Sequence, residues 1–326
     1  MPTPGGPYSG IWKLSNLSKY IQDNSWPDAT AARGIFSAGL TPSNSDIMDF
    51  VSIPSAGNAT DFGNLDVGLM GCGSVSSNTR GVVGGGGNAA NNGVNTLQYV
   101  TIMTTGNTQD FGDLNSSARV NGPSGASNST RGLFAGGEGP SPSYPVTNVI
   151  DYITIASTSN AIDFGDIVAS GYVMGGTASS TRGVFGGKKP GNVNTIQYVT
   201  IGSTGNTSDF GDLTNGRGRI GSGIQSSGTR GLFSGGENPD ATNIIDYITI
   251  GSTGNAIDFG DLSGVTSSVC GTTSDTITAL TSALSTSTNT IDSVTIASTG
   301  NASDFGDLTV GRIYVSGMSN GHGGLS

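Results

Sequence analysis

The segment IQYVTIGSTGNTSDFGDL (196–213) occurs six times along the chain in slightly altered form. Its first part, IQYVTI, is rich in β-branched and aromatic residues and is typical of a β-strand. The following STGN is typical of a tight turn, because glycine and asparagine tolerate positive φ. Asp-Phe-Gly then opens a second strand, and copies of this string lie 46 to 53 residues apart. The six copies begin at Asp61, Asp110, Asp163, Asp209, Asp258 and Asp304.

Two further segments complete each repeat. Thr-Arg-Gly followed by apolar and small residues precedes the tyrosine strand, as in TRGVFGG (181–187). A run of alternating small and apolar residues precedes that, as in GYVMGGTASS (171–180). In chain order we number the four strands of a repeat as strand 1 (GYVMGG), strand 2 (RGVFGG), strand 3 (NTIQYVTI) and strand 4 (DFGDL). Four short strands in a repeat of about fifty residues indicate a propeller blade. We therefore predict an all-β, six-bladed β-propeller; a β-solenoid is the alternative, but its repeats are usually shorter and its ends need caps.

The ends of the repeated region complement each other. The region starts in the second strand of a repeat (32–39) and finishes in the first strand of a repeat (312–318). We predict that these strands pair and close the ring, giving a propeller over residues 32–318. A separate N-terminal arm is predicted over residues 1–31, and a C-terminal tail over residues 319–326.

Two places are expected to be less ordered than the rest. The sixth copy has TITALTSAL (276–284) where the others have Thr-Arg-Gly and a glycine pair, so that blade is expected to be the least regular. The only histidine, His322, lies in the terminal NGHGGLS, where a frayed tail would not hold a general base in position.

The composition argues against several functions. The chain has 326 residues, 55 of them glycine, and a net charge of −10. No basic cluster is longer than one pair of lysines, so binding to nucleic acid is not expected. No run of eighteen apolar residues occurs and the N-terminus does not resemble a signal peptide. We expect a soluble protein without membrane insertion, made in the cytoplasm without a secretory signal.

The inventory of reactive side chains is small. Cys72 and Cys270 are expected to be small buried residues and not a disulfide. The repeated aspartates are separated by whole blades and lack the ligand density of a calcium site. We predict no catalytic residue, no metal and no cofactor. A glycosidase that uses two carboxylates is the enzymatic alternative, because it needs no histidine.

The arginine of Thr-Arg-Gly recurs in five blades, which favours a structural role over a ligand site. We expect each to donate a charge-assisted hydrogen bond to a carboxylate or backbone carbonyl of the next blade. The arginines are Arg33, Arg80, Arg131, Arg182 and Arg230. The expected carboxylate partners end the DFGD strings and are Asp113, Asp166, Asp212, Asp261 and Asp307.

The loops divide between two faces. The loops between strands 1 and 2 and between strands 3 and 4 are nearly identical in all copies and form what we call the constant face. The other loops, between strands 2 and 3 and between successive blades, differ in length, charge and proline content and form the variable face. A rigid scaffold with divergent loops is typical of recognition. The candidate binding residues on the variable face are Tyr144, Lys188, Lys189, Arg217, Arg219, Asn238 and Asp240.

The order of Arg, Gly pair, Asn and Tyr strand resembles the kelch repeat. Kelch repeats usually carry a tryptophan in strand 4, where this chain has the phenylalanine of DFG. The wording YVTIASTGNATDFGDL with TRGVFGG more closely resembles repeats of tail-fibre and appendage proteins of marine bacteriophages of the cyanophage type. GIWKLSNLSKYIQDNSWP (10–27) resembles N-terminal segments of such proteins.

The resemblance implies a non-enzymatic virion structural protein, present in several copies on a tail or particle surface. Its N-terminal arm would dock to other virion proteins and its propeller would face outward towards a host glycan or protein. Aromatic and apolar side chains are the expected anchors of the arm. They are Trp12, Leu17, Tyr20, Ile21 and Trp26. The alternative is a kelch-like adaptor that binds other proteins inside the cell.

Overall fold

The structure is a computed structural model, and it confirms the predicted architecture of six antiparallel sheets in a ring. It describes residues 32–90, 92–115, 122–140, 142–282, 284 and 288–325. The predicted docking residues of the arm lie outside these ranges. The compact unit that forms the propeller begins at Ala32. Over the described ranges, no helix has the length and apolar character needed to cross a membrane.

Blade 1 contains β1 (Arg33–Ser37), β2 (Leu40–Thr41), β3 (Ser43–Ser52) and β4 (Thr60–Leu69). Blade 2 contains β5 (Gly73–Ser76), β6 (Arg80–Gly84), β7 (Thr96–Thr101) and β8 (Gln109–Asp113). Blade 3 contains β9 (Ser124–Ser127), β10 (Arg131–Ala135), β11 (Val149–Thr154) and β12 (Ile162–Asp166). Blade 4 contains β13 (Gly175–Ala178), β14 (Arg182–Gly186), β15 (Thr195–Thr200) and β16 (Ser208–Asp212). Blade 5 contains β17 (Arg230–Ser234), β18 (Glu237–Asn238), β19 (Asp240–Thr249) and β20 (Ile257–Thr266). Blade 6 contains β21 (Gly271–Ser274), β22 (Thr278–Ser282), β23 (Thr290–Thr295) and β24 (Ser303–Asp307). The chain returns to blade 1 as β25 (Ser316–Ser319) and ends its described part in a 3-10 turn (Gly323–Leu325).

The two ends of the repeated region close the ring, as predicted. β25 pairs antiparallel with β1, with Gly34 opposite Ser319 and Ser37 opposite Ser316. The innermost strand of blade 1 therefore comes from the C-terminal end of the chain and its other strands from the N-terminal end. Backbone hydrogen bonds within one blade thus join the first and last parts of the ring.

The expectation for blade 6 is wrong. β22 pairs in full register with β21 and β23, because backbone pairing does not require the missing arginine or glycines. Blade 5 is the irregular one. Its innermost segment (222–226) makes only isolated bridges, among them parallel bridges from Ser222 to Gly271 of blade 6 and to Ser316 of blade 1 across the axis. Gly223, with φ of +128°, interrupts the extended backbone there.

The hydrophobic core lies between the blades. Each seam buries apolar residues from two neighbouring blades, and the phenylalanine of every DFG is part of it. In blades 2 to 5 this phenylalanine meets the strand-3 tyrosine edge-on, with ring centroids 5.8 to 6.0 Å apart. The recurring Tyr and Phe of the repeat thus pack as one aromatic pair in each of these blades.

The axis of the ring is filled by the innermost strands. Serine hydroxyls near the ends of these strands donate to the backbone carbonyl of the preceding blade, as from Ser76 to Ser319 (2.7 Å), from Ser127 to Ser76 (2.9 Å) and from Ser319 to Ser274 (2.5 Å). Ala178 stands at the corresponding position of blade 4 and has no hydroxyl to donate. These serines are buried, so their hydroxyls satisfy carbonyls that water does not reach.

The predicted frayed tail is instead packed across the axis at the constant face. His322 is buried, and its Nδ1 accepts a hydrogen bond from the Gly324 N–H at 3.1 Å. Its Nε2 lies 3.4 Å from both the Ser76 carbonyl and the Ser127 hydroxyl. These contacts fit the neutral imidazole with its proton on Nε2. Glycines at positions 321, 323 and 324 let the tail approach the strand ends closely, since a Cβ would collide at each.

We expect the docking of this tail to weaken in acid. Burial lowers the pKa of His322 to about 4 from an ordinary value near 6.5, so the imidazole is neutral in the folded state down to that pH. Between these two values the unfolded state binds the additional proton, and stability present above pH 6.5 is lost as the pH falls towards 4. The protection factors of the amides of residues 321–325, which correct for the intrinsic pH dependence of exchange, should therefore be lower at pH 5 than at pH 7. A His322→Gln variant should lose this pH dependence, and an unchanged pH dependence in that variant would contradict the assignment to His322.

Candidate functional site

The seams at the constant face are built from the turn between strands 3 and 4. In blade 4, the Gly205 N–H donates to the Phe164 carbonyl (2.7 Å) and the Thr207 N–H to the Asp166 carbonyl (2.9 Å) of blade 3. The Asn206 side chain accepts from the Asp166 N–H at 3.0 Å. The turn therefore pairs with the outer strand of the preceding blade and covers the strand edge that would otherwise be open to other chains.

These hydrogen bonds between blades explain why the STGN turn and the DFGD string are the two most regular motifs of the repeat. The turn asparagine accepts the same N–H hydrogen bond at all six seams. The asparagines are Asn58, Asn107, Asn160, Asn206, Asn255 and Asn301. The sequence predicted only a turn at these positions, and their role between blades was missed.

The five repeated arginines bridge neighbouring blades through a backbone carbonyl. Each Nη1 donates to the backbone carbonyl of the isoleucine that directly follows strand 3 of the next blade, at 2.8 to 3.1 Å. The pairs are Arg33 with Ile102, Arg80 with Ile155, Arg131 with Ile201, Arg182 with Ile250, and Arg230 with Ile296. Each guanidinium also lies 4.2 to 4.6 Å from the aromatic ring of strand 3 in its own blade.

The expected carboxylate partners are wrong. Over the described ranges, Asp113, Asp166, Asp212, Asp261 and Asp307 form no ion pair with these arginines. Position along the strand is the reason. Arg80 lies opposite Thr101, whereas Asp113 lies opposite Thr96 at the other end of β7. What these aspartates contribute to the seam is their backbone: the N–H donates to the turn asparagine of the next blade, and the carbonyl accepts from an N–H of the same turn.

Most predicted binding residues lie at the surface of the variable face. Tyr144 and Asp240 are exposed. Lys188 donates from Nζ to the Ser170 carbonyl at 2.9 Å, and burial lowers its pKa. Asn238 donates to the Asn215 side chain at 2.8 Å. These positions are distributed over blades 3, 4 and 5.

A charged group brings two of the predicted residues together. Glu237 forms ion pairs with Lys189 and, at 3.3 Å, with Arg219. The Arg219 guanidinium also donates to the Ser267 carbonyl at 3.2 Å and lies 5.9 Å from the ring of Tyr314. Side chains from blades 4, 5 and 1 thus meet near the axis, and Glu237 and Tyr314 were not predicted from the sequence.

Arg217, in contrast, is not a surface residue. Its side chain is fully buried and forms an ion pair with Asp246 at 2.8 Å, with further bonds to the carbonyls of Gly235 and Phe233. Arg312 forms the same arrangement with Asp49 at 2.7 Å. The prediction of Arg217 as a binding residue is therefore wrong, because it serves the seam between blades 4 and 5.

Tyr172 and Glu138 also belong to the group near the axis, and the sequence did not single them out. Burial raises the pKa of the Tyr172 hydroxyl, Glu138 and Glu237 raise it further, and Arg219 opposes them. The Tyr172 backbone pairs with Lys189. We call Glu138, Tyr172, Lys189, Arg219, Glu237 and Tyr314 the axial group. Their repeats differ from one another, so periodicity gave no signal for them.

Backbone strain separates the two faces. Among the described residues, the non-glycine residues with positive φ all lie in loops of the variable face: Ala38, Tyr144, Val173, Asn192, Arg219 and Tyr314. In the turns of the constant face, only glycines have positive φ. Left-handed backbone is costly for residues with a Cβ and tends to persist at functional sites. Two of the axial group, Arg219 and Tyr314, carry this strain.

The cysteines are buried and free, as predicted, and burial raises the pKa of both thiols to about 12. Over the part of the chain that the structure describes, no group of three or more His, Cys, Asp or Glu side chains is arranged to hold a metal ion. Neither the family models nor the curated proteins compared with this chain give a match.

Proposed function

We propose that the chain is a non-enzymatic recognition protein of a virus particle, part of a tail fibre or appendage or a surface decoration. Its variable face would point outward to a glycan or protein of the host surface. The arm over residues 1–31 would attach it to other virion proteins, in several copies per particle. The virion placement is supported by the resemblance of the repeat to phage appendage proteins.

The contrast between the two faces carries the proposal of recognition. The turns of the constant face have nearly one sequence and are engaged in hydrogen bonds between blades at every seam. The variable face holds the strained non-glycine residues and the axial group of tyrosines, cations and carboxylates. Arg219 and Tyr314 keep large side chains at the left-handed position that Gly71 occupies without strain before blade 2. Retaining strained side chains where glycine would serve favours a selected binding surface over drift.

A non-enzymatic role is supported by the state of the reactive groups. His322 is buried and neutral at the opposite end of the axis from the axial group. Both thiols are buried with raised pKa, which keeps them protonated and unreactive. Glu237 is held by two cations, which suits a structural carboxylate more than a general acid.

The first test is a cryo-EM map of purified particles of the virus that encodes this chain. We expect six-bladed rings attached through residues 1–31 with Tyr144 and the axial group facing solvent. Rings with the variable face buried against the particle would overturn the recognition role. Absence of the protein from particles, together with its presence in soluble lysate, would favour the kelch-like adaptor.

A second test compares variants on the two faces. Arg219→Ala, which removes a cation of the axial group, should lower adsorption of particles to host cells by about tenfold, the effect of losing roughly 1.4 kcal/mol of binding. Thr299→Ala changes an exposed residue of the constant face in blade 6, which lacks the repeated arginine, and should leave adsorption unchanged. Equal adsorption of both variants and the parent would argue against contact through the axial group.

A further inference from the structure

The five repeated arginines have more N–H donors than they have acceptors within the described ranges. A guanidinium carries five N–H groups. Among the described residues, each of these arginines has one hydrogen-bond acceptor, the isoleucine carbonyl of the next blade, and none has a carboxylate within ion-pair distance. Arg217, Arg219 and Arg312, in contrast, each form an ion pair with a carboxylate. In a chain with net charge −10, five partly exposed cations that have no anionic partner within the described ranges need an explanation.

The orientation of these guanidinium groups is fixed. In blade 2, Arg80 lies 4.2 Å from the ring centroid of Tyr99, and that ring meets Phe111 edge-on. The bond to Ile155 holds the other side of the group. A cation held by an aromatic face and one carbonyl loses little conformational freedom when it binds an anion.

A groove adjoins the arginine of blade 2. Its volume is about 310 Å³, and its walls include Arg80, Tyr99, Thr101, Thr104, Asn107 and Gln109. The walls therefore present hydroxyl and amide groups around one cation and one aromatic ring. A polyhydroxylated anion fits this chemistry, because hydroxyls and amides bind its hydroxyl groups and the guanidinium fork binds its carboxylate. An apolar ligand finds few contacts there.

Blade 6 lacks both the arginine and the strand-3 aromatic ring on which the arginine lies in the other blades. Thr278 stands at the arginine position and Ser293 at the tyrosine position, while Phe305 and the turn are retained. The seam that follows blade 6 nevertheless closes, through the turn at Asn58 and the buried pair of Arg312 and Asp49. One seam thus holds without the arginine, so closing a seam does not by itself account for the arginine in the other five blades.

We propose that the groove beside Arg80, and the equivalent surfaces beside the repeated arginines of blades 1, 3, 4 and 5, form a repeated binding site for an acidic polysaccharide that carries carboxylates on its sugar rings. One groove binds one acidic sugar weakly, and a chain of such sugars engages several grooves of one ring in turn. The absence of lysine clusters and the net negative charge disfavour nucleic acid as the polyanion. The site is separate from the axial group and does not depend on recognition by the variable face.

The test uses the full chain and hexagalacturonate, with its fully methyl-esterified form as the matched neutral ligand. By calorimetry, we expect the acid form to bind at least about tenfold more tightly than the ester, and its affinity to fall with salt, because the attraction is electrostatic. Equal binding of the two forms, or binding of neither, would overturn the proposal.

The variants for this test place a glutamate beside each repeated arginine, so that its carboxylate competes with the ligand while every arginine is kept. The residue directly opposite each arginine is exposed, and glutamate there would pair with the guanidinium and fill the groove. The five changes are Ser52→Glu, Thr101→Glu, Thr154→Glu, Thr200→Glu and Thr249→Glu. We expect Thr101→Glu to remove one binding site and all five together to weaken binding by at least about tenfold.

Thr295→Glu is the matched control, because Thr295 lies opposite Thr278 in the blade without an arginine. It adds the same charge to the same face and should bind hexagalacturonate as the parent does. If Thr295→Glu and Thr101→Glu reduce binding equally, the effect is general repulsion and the proposal fails. This pair of single variants decides the matter even if the fivefold variant does not fold, and the adsorption test with Arg219→Ala gives a separate result for the variable face.

Discussion

Replacing Gly211 by alanine should lower the free energy of unfolding by roughly 3 kcal/mol or more, since it combines a left-handed backbone with a clash against neighbouring backbone. Gly211 is the glycine of DFG in blade 4 and has φ of +147°. A Cβ there would lie 2.4 Å from the Gly254 carbonyl oxygen of blade 5. The turn of blade 5 could not then approach the outer strand of blade 4. Chemical denaturation measures the loss.

Gly202→Ala is the control in the same blade. Gly202 lies in the exposed turn, where a Cβ meets nothing within 4 Å, and other repeats have Ala156 and Ala297 at this position. We expect this variant to be as stable as the parent or slightly more stable, because alanine restricts the unfolded chain. If Gly211→Ala proved as mild as Gly202→Ala, close contact between turn and strand would not be the reason for the glycine in every DFG.

Replacing Arg312 by leucine should be of similar severity, at about 3 to 5 kcal/mol, because it leaves the Asp49 carboxylate buried without its cation. Both side chains are fully buried and their ion pair is 2.7 Å long. Arg312 also binds the carbonyls of Ala38 and Phe36, so the change removes contacts across the closing blade. Thermal and chemical unfolding of the variant would give the magnitude.

The chain itself suggests the compensating change. The seam between blades 1 and 2 has no such ion pair among the described residues. Leu69 stands there at the position equivalent to Arg312, five residues after the DFGN string, and Gln98 stands at the position equivalent to Asp49. Gln98 accepts the Asp66 N–H at 2.9 Å without any cation. Asp49→Gln added to Arg312→Leu recreates this combination and should recover a large part of the lost stability. A double variant no more stable than Arg312→Leu alone would show that the lost carbonyl contacts, and not the buried charge, dominate.

The architecture was predictable because the same pattern of strands and turns occurs in six copies along the chain. Strand composition, turn residues and the staggered ends each pointed to the same closed ring, and the pairing of β1 with β25 agrees with them. The regularity of blade 6 was not predictable from its missing Arg and Gly, because those residues belong to contacts between blades and not to strand pairing. The break in blade 5 follows from Gly223 and had no distinctive pattern around it.

The side-chain partners were harder to predict than the strands. Periodicity placed the arginines between blades but not their acceptors, since which end of a strand an aspartate occupies depends on register. Arg217 and Arg219 look equivalent in the sequence GRGR, yet one is buried and the other faces the axial group. His322 was expected in a frayed end because its partners, Ser76 and Ser127, lie about two hundred residues or more away.

The candidate binding face was located by comparing the repeats with one another, and that comparison finds variability, not chemistry. Tyr144 and Lys188 stood out as charged or aromatic residues in divergent loops. Tyr172, Glu138 and Tyr314 did not, because their grouping depends on loops of blades that are distant in sequence.

The pairing of β1 with β25 also has a kinetic consequence. Gly34 and Ser319 lie at opposite ends of the repeated region, so this contact has nearly the largest sequence separation that the ring allows. Forming it orders a very long loop, which makes it a late and slow step of folding. In the reverse direction, the ring cannot open one blade at a time from a free end, because both ends are held in the same sheet. The protein should therefore persist through a high barrier to unfolding even where its equilibrium stability is ordinary.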